Sequence, residues 1–186
     1  MKKGVLLLVI LSFFITEIFA QQENTPMLAS HPKIELGLQG LGVGYEFALG
    51  GKTLLDVNAG LGGGYTVHNA TVNYTWGIID PAFYMITEFR YYYSLEKRLA
   101  KGRNRGNNAG NYVGAQIKYA TPEVFNIASN INLHNTLLTE IHWGIQRNLG
   151  KKFLFNLHLG LGYAYDYQQE TGGLYLAFGV KFGLMF

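Results

Sequence analysis

Apolar side chains alternate strictly with other residues along the last stretch of the sequence. Bulky apolar residues occupy every second position from Leu174 to Phe186, and three of the six residues between them are glycine or alanine. Side chains of a β-strand point alternately to opposite faces, so one face of this stretch is wholly apolar. The pattern predicts a β-strand that hides one face from water.

The same alternation recurs in six earlier segments, each close to the roughly 9 to 11 residues of a tilted membrane strand. The segments span residues 41–49, 55–61, 83–93, 113–119, 137–145 and 153–167. In the stretch before residue 41 the apolar residues fall at even-numbered positions (Ile34, Leu36 and Leu38), whereas in the segment 41–49 they fall at odd-numbered positions. We expect a bulge near Gln39 and Gly40, whose extra residue would bring both sets onto one face. Seven strands would put the two ends of the chain at opposite ends of a barrel. Because bacterial barrels have an even number, we predict eight strands, with the extra one within residues 24–40 unless the bulge divides the chain differently.

The size of the two faces distinguishes a membrane barrel from a soluble lipocalin-like barrel. The sequence holds 24 Gly, 13 Tyr and 12 Phe but only 15% charged residues. The interior of an eight-stranded barrel is just wide enough for side chains, so the glycine-rich face fits inside and the aromatic face does not. Aromatic residues also cluster near both predicted rims, as in membrane barrels. We therefore predict an all-β fold, an antiparallel up-and-down transmembrane β-barrel.

The N-terminal segment has the pattern of a cleaved secretory signal. Lys2 and Lys3 precede an apolar run, and Ala20 comes before a polar change. A transmembrane anchor is the alternative, but Glu17 interrupts the run well short of about 20 residues. We predict a signal peptide at residues 1–20, cleaved after Ala20, and an outer-membrane barrel domain at residues 21–186.

Charge and cysteine usage exclude several classes of protein. The formal net charge of +3 is too small to indicate a nucleic-acid partner. With no cysteine, the chain has neither a disulfide scaffold nor a cysteine nucleophile. The barrel must therefore be held by burial and backbone pairing.

The predicted connections alternate in length, short on one side and long on the other, as in outer-membrane barrels. The stretch from Ser94 to Gly110 is an exception, a long connection on the predicted periplasmic side, where Ser94 would cap a short helix that Gly102 ends. It is basic, so it is either a solvated turn or a site for inner-leaflet phosphates or peptidoglycan. Its basic residues are Lys97, Arg98, Lys101, Arg103 and Arg105.

Two parts of the sequence resemble known proteins. The alternating end of the chain resembles the C-terminal sorting signal of bacterial outer-membrane proteins, carried by Phe178, Val180, Phe182, Leu184 and Phe186. The run Glu88–Phe89–Arg90–Tyr91–Tyr92–Tyr93, the following Ser94–Arg98 and Gly102–Tyr112, and the Ala-Gln-Gln end of the signal resemble small uncharacterised outer-membrane β-barrel proteins of Bacteroidetes-type bacteria, in the OmpA/OmpX-like barrel class. The resemblance implies a fold and a location, with outer-membrane lipid and the barrel-assembly machinery as partners. It implies no activity.

Charged residues on the small face form the candidate functional set. They are Glu46, Asp56, Glu88, Glu140, Arg90, Lys118 and Lys181, with His142 and His158 nearby. Buried charges are retained mainly when paired, so we predict a salt-bridged network that plugs the lumen; a gated conduit is the alternative. We expect Arg90, beside Glu88 and Glu140, at its centre, since a guanidinium can bridge two carboxylates.

Other chemistry has weaker support. Ser129 and His134 share one predicted outer loop, but no residue visibly orients them as catalysis requires. Glu140, His142 and His158 could bind a metal, although facing histidines more often only hydrogen-bond. We therefore predict a non-enzymatic barrel without a cofactor, acting structurally or through a cell-surface ligand of its outer loops. A narrow channel for small solutes or ions is the alternative, and a lipid A-modifying enzyme is the third.

Overall fold

The structure is a computed structural model that describes residues 28–103, 106–125 and 132–186. The predicted signal peptide lies outside these residues. The strands are β1 (His31–Gly37), β2 (Gly40–Gly50), β3 (Thr53–Gly62), β4 (Gly64–His68), β5 (Thr71–Thr75), β6 (Ala82–Tyr91), β7 (Gly110–Glu123), β8 (Thr136–Asn148), β9 (Phe153–Asp166) and β10 (Thr171–Met185). Helical structure comprises α1 (Leu95–Ala100) and a 3₁₀ turn (Gly106–Asn108).

Eight of these strands close into one antiparallel barrel in the order β1-β10-β9-β8-β7-β6-β3-β2. The predicted all-β fold with eight barrel strands is therefore confirmed. The remaining two, β4 and β5, form a hairpin inserted between β3 and β6. Among the described residues, no helix is long and apolar enough to cross a bilayer.

The first strand corrects the sequence interpretation at Gln39 and Gly40. A tight turn at Leu38 and Gln39, and not a bulge, joins β1 to β2, with Gly37 paired to Gly40. Ile34 lies opposite Val43 across this turn. Paired residues share a face, so the antiparallel register itself moves the apolar residues from even to odd positions. Gly40 has a φ of +139°, a conformation that favours glycine.

The first barrel strand begins at the same end of the barrel at which the last strand finishes. Lys33 of β1 pairs with Met185 of β10, so the seven-strand arrangement with its ends on opposite sides is wrong. We call this end, where β1 begins and β10 finishes, the lower end, and the end that carries β4 and β5 the upper end.

The two faces of each barrel strand have opposite character. Large apolar side chains point outward, and Leu174, Ile141 and Leu176 are 80%, 75% and 74% exposed. Inward positions carry glycine, charged and amide side chains, and Arg90 and Glu88 are fully buried. The bulky face is thus outside and the small face inside, as the interior width of an eight-stranded barrel requires.

An apolar cluster and α1 fill the lower end of the lumen. Leu28, Leu54, Tyr92, Leu95 and Tyr112 are buried together there. The predicted helix is present and ends as expected: Gly102 has a φ of +60°, and the Arg103 amide bonds the Arg98 carbonyl at 3.0 Å. The Ser94 hydroxyl accepts a bond from the Asn111 amide at 2.8 Å, so it ties the helix to β7.

The β4–β5 hairpin fills the upper end. Tyr65 and Val67 on β4 are buried against Ile86, Leu138 and Ala164 on the inner face of the barrel. The Tyr74 hydroxyl donates to the Leu38 carbonyl, which ties β5 to the first turn. Burial raises the pKa of Tyr74, so the phenol remains a neutral donor.

Candidate functional site in the barrel lumen

Arg90 is the most highly connected cation of the lumen. Its guanidinium binds both carboxylate oxygens of Glu88 at 2.7 Å. It also lies 2.7 Å from Asp56, 3.2 Å from Glu46 and 3.0 Å from the Gln146 amide oxygen. A planar fork of donors suits this arrangement because it can hold several oxygens at once.

Lys33 forms a second centre that the sequence interpretation did not include. Its ammonium lies 2.9 Å from Glu35, 3.3 Å from Glu46 and 2.7 Å from Asp56. Oδ2 of Asp56 therefore contacts both Lys33 and Arg90. The shared carboxylates link the two cations into one network.

Glu140 lies apart from Arg90, in contrast to the predicted arrangement. Its Oε1 is 3.1 Å from Nδ1 of His142 and 3.3 Å from Nε2 of His158, and the two imidazole rings stack with centroids 4.4 Å apart. The Tyr175 hydroxyl donates to Oε2 at 2.8 Å. His142 connects this group to the Arg90 network, because its Nε2 is 2.9 Å from Glu88.

The two remaining lysines lie toward the edge of the network. Nζ of Lys181 is 3.7 Å from Glu88, a longer ion pair than the others. Nζ of Lys118 donates to the Tyr65 hydroxyl at 3.1 Å and so contacts the upper hairpin. The structure thus brings the predicted charged residues into the lumen but divides them between an arginine group and a histidine group.

Glycines on the inner face make room for the histidines. A Cβ on Gly114 would lie 2.5 Å from Nε2 of His142 and 3.1 Å from Oε1 of Glu88. A Cβ on Gly179 would lie 2.6 Å from Nε2 of His158. The small face that the sequence displays is therefore the space into which long polar side chains of neighbouring strands extend.

A cavity of about 620 Å³ lies above the histidine group, between the β4–β5 hairpin and β10. Glu140, His158 and Lys181 contribute polar atoms to its wall. The strand register explains why the cavity is also lined by the outward-facing Leu174 and Leu176: β1 pairs with β10 only from Lys181 to Met185. Among the described residues, the Leu38 amide still bonds the Val180 carbonyl at 3.0 Å, and above this bond the register gives β10 no strand partner on this side. The cavity therefore reaches the outward-facing Leu174 and Leu176.

His134, the histidine considered for catalysis, is held in place by a carboxylate. Nδ1 of His134 is 2.6 Å from Oδ2 of Asp166, and the same oxygen accepts a bond from the Val67 amide at 2.9 Å. Asp166 does orient His134, which the sequence did not reveal. Ser129 lies outside the described residues, so its relation to His134 stays a prediction.

The basic connection wraps under the lower end. Lys52 pairs with Glu96 at 2.6 Å, and Lys97, Lys101 and Arg103 are exposed. Asn108 enters the lumen and donates to Glu46 at 2.7 Å. Part of the connection therefore closes the lumen and part is solvated; Arg105 lies outside the described residues.

The residues of the resembled sorting signal occupy the outward face of β10. Phe178, Phe182 and Phe186 are 56%, 52% and 61% exposed, and Val180 and Leu184 are partly exposed between them. Comparison with protein-family models, curated proteins and solved structures finds no match for this chain.

Proposed function

We propose that this chain is an exported, integral barrel of the bacterial outer membrane, with a closed lumen and a structural or surface-interaction role. The observation that carries the proposal is the opposition of the two faces of the same eight strands: exposed apolar rows outside and paired charges inside. A soluble barrel would have the reverse arrangement. The resemblance to small Bacteroidetes-type barrels supports the same location.

A lipid environment accounts for the outer surface. Soluble monomers rarely expose apolar patches larger than a few hundred Å², whereas here the apolar rows continue around the barrel. Two rims of exposed aromatic residues flank these rows, as in membrane barrels. Tyr91, Tyr93, Phe153 and Phe186 lie near the lower rim, and Tyr119, Tyr163 and Trp76 near the upper rim. Closure of the barrel pairs the backbone groups that lipid cannot satisfy.

The lumen is filled in three layers. The apolar cluster around Tyr92 and Leu95 occupies the lower layer, the charge network the middle and the β4–β5 hairpin the upper. An ion crossing the barrel would have to displace two apolar layers and separate buried ion pairs. This favours the closed barrel over the narrow channel.

We infer the orientation of the barrel from its connections. Two of the three lower connections are short turns (51–52 and 149–152), whereas the upper end carries the long connections 63–81 and 124–135 beside the turns 38–39 and 167–170. Short turns face the periplasm in outer-membrane barrels. The upper connections then face outward, where they would contact a cell-surface ligand. The row from Phe178 to Phe186 would be the segment that the barrel-assembly machinery recognises, and the basic lower connection would face periplasmic phosphates or peptidoglycan.

We propose no enzymatic activity. The His134–Asp166 pair ties β4 to the barrel wall, and this role accounts for it without a nucleophile. Mass spectrometry of lipid A from cells with and without the gene tests this part. An unchanged lipid A profile is expected, and a loss or gain of an acyl chain would establish the lipid A-modifying alternative.

Membrane fractionation tests the location. The protein should sediment with outer membranes, resist extraction by sodium carbonate and migrate faster on a gel before heating than after it. Recovery in the soluble periplasmic fraction without a heat-dependent mobility shift would overturn the proposal.

A further inference from the structure

Three potential metal ligands converge in the lumen. Oε1 of Glu140 is 3.1 Å from Nδ1 of His142 and 3.3 Å from Nε2 of His158, and ligand atoms of all three lie within 4.8 Å of one another. Zinc bonds to nitrogen and oxygen of about 2.0–2.1 Å in a tetrahedron separate neighbouring ligands by roughly 3.3 Å. The two separations from Oε1 of Glu140 match two edges of such a tetrahedron.

Well-aligned hydrogen bonds leave polar atoms of this cluster without partners. Oε1 of Glu140 and Nδ1 of His142 are both buried, and no hydrogen bond of good geometry from the described residues satisfies either atom despite their separation of 3.1 Å. Each unsatisfied buried polar atom costs about 1–3 kcal/mol. A cation between them would satisfy both atoms.

The surroundings of His142 and Glu140 are those of a metal site, whereas Nδ1 of His158 has no hydrogen-bond partner among the described residues. Metal-ligating histidines usually donate their second ring N–H to a carboxylate, which fixes the tautomer. Nε2 of His142 lies 2.9 Å from Glu88, which leaves the Nδ1 lone pair facing Glu140. The Tyr175 hydroxyl holds the other oxygen of Glu140 at 2.8 Å, so the carboxylate is oriented as well.

Charge also favours a cation here. The middle layer contains one carboxylate more than its lysines and arginine can neutralise; its charged residues are Glu35, Glu46, Asp56, Glu88, Glu140, Lys33, Arg90, Lys118 and Lys181. Among the described residues, the ion pairs of Glu140 are with histidines alone. Glu140 and His158 line the 620 Å³ cavity, which gives an ion a route to the site.

We propose that Glu140, His142 and His158 bind a divalent transition-metal ion, zinc in the first instance, with a fourth coordination position open to the cavity. Two imidazoles and a carboxylate suit zinc, and three protein ligands leave one position for water or another small ligand. The site extends the proposed function, since a closed barrel needs no metal.

Zinc titration of the purified, folded barrel after chelator treatment tests the proposal. Calorimetry should detect one zinc ion per chain, and Co²⁺ in its place should give the intense visible absorption of tetrahedral coordination. His142→Gln and His158→Gln should each weaken binding at least about a hundredfold. His68→Gln, which changes an exposed histidine at the end of β4, should bind as the wild type does.

Tyr175→Phe keeps the ring and removes only the hydrogen bond to Glu140, and it should weaken binding about 10- to 100-fold. If a glutamine variant does not fold, as judged by the heat-dependent gel shift, Tyr175→Phe tests the site in its place. The absence of zinc binding by the wild type would overturn the proposal. Equal binding by wild type, His158→Gln and Tyr175→Phe, or a Co²⁺ spectrum of octahedral type, would also overturn it. None of these outcomes bears on membrane location or conductance.

Discussion

Arg90 and Glu88, two residues apart on β6, form a bidentate ion pair in which Nε and Nη2 each lie 2.7 Å from a different carboxylate oxygen. Both side chains are fully buried. Breaking a buried pair leaves an uncompensated charge and costs about 3–5 kcal/mol. The pair is therefore the point at which the barrel should be most sensitive to substitution.

Arg90→Met should lower the free energy of unfolding by about 3–5 kcal/mol, measured by urea titration in lipid vesicles. Arg90→Lys should lose less, because it keeps the charge but not the fork geometry. Arg103→Met removes an exposed arginine and should change stability by less than about 0.5 kcal/mol. Equal stability of the Arg90 and Arg103 variants would contradict the network.

Lys33 and Arg90 should be energetically coupled because they share Asp56. Each single methionine variant leaves Asp56 with one cation, whereas the double variant leaves it with none. The double loss should exceed the sum of the single losses by about 0.5–3 kcal/mol in a double-mutant cycle. Simple additivity would mean that the two centres are independent.

Gly114→Ala tests the close packing around the histidines. The new Cβ would lie 2.5 Å from His142, so the imidazole must move and its contact with Glu88 must lengthen. Overpacking of this kind costs about 1–3 kcal/mol, again by urea titration. Ala115→Val enlarges the neighbouring, outward-facing residue and should have little effect; a similar loss in both variants would refute the packing explanation.

Ala70→Gly should stabilise the β4–β5 hairpin. Asn69 and Ala70 have φ values of 49° and 60°, and a non-glycine residue in this region costs about 1 kcal/mol. Amide hydrogen exchange of residues 64–75 should slow by roughly fivefold, while Ala70→Val should speed it. Unchanged exchange in both variants would show that the turn does not limit the stability of the hairpin.

The sequence predicted the barrel because alternation is a local property of each strand. Alternation predicted seven segments and their faces. The helix was predicted separately, from Ser94 at its start and Gly102 at its end. The turn at Leu38 and Gln39 could not be predicted, because a tight turn and a bulge both move the apolar residues from even to odd positions. Lys33 and Glu35 were missed for that reason, although their alternation with Ile34 and Leu36 was a usable signal.

The internal arrangement of the lumen depends on strand register, which alternation does not specify. Strand pairing brings Asp56 and Glu46 within reach of Arg90, because Asp56 on β3 lies opposite Glu88 on β6 and Glu46 on β2 lies opposite Asp56. The register of β8 and β9 places His142 opposite Gly160 and His158 opposite Gly144, and the two rings extend into the space that Gly114 and Gly179 leave. The insertion of Tyr65 and Val67 into the upper lumen likewise depends on packing between distant segments.

Single-channel recording in planar bilayers tests the closed lumen most directly. The protein should first be shown to have inserted, by its heat-dependent gel shift in the same preparation. Wild-type protein should give no discrete conductance steps across the usual range of voltage. Reproducible steps from the wild type would contradict the closed lumen and establish the channel.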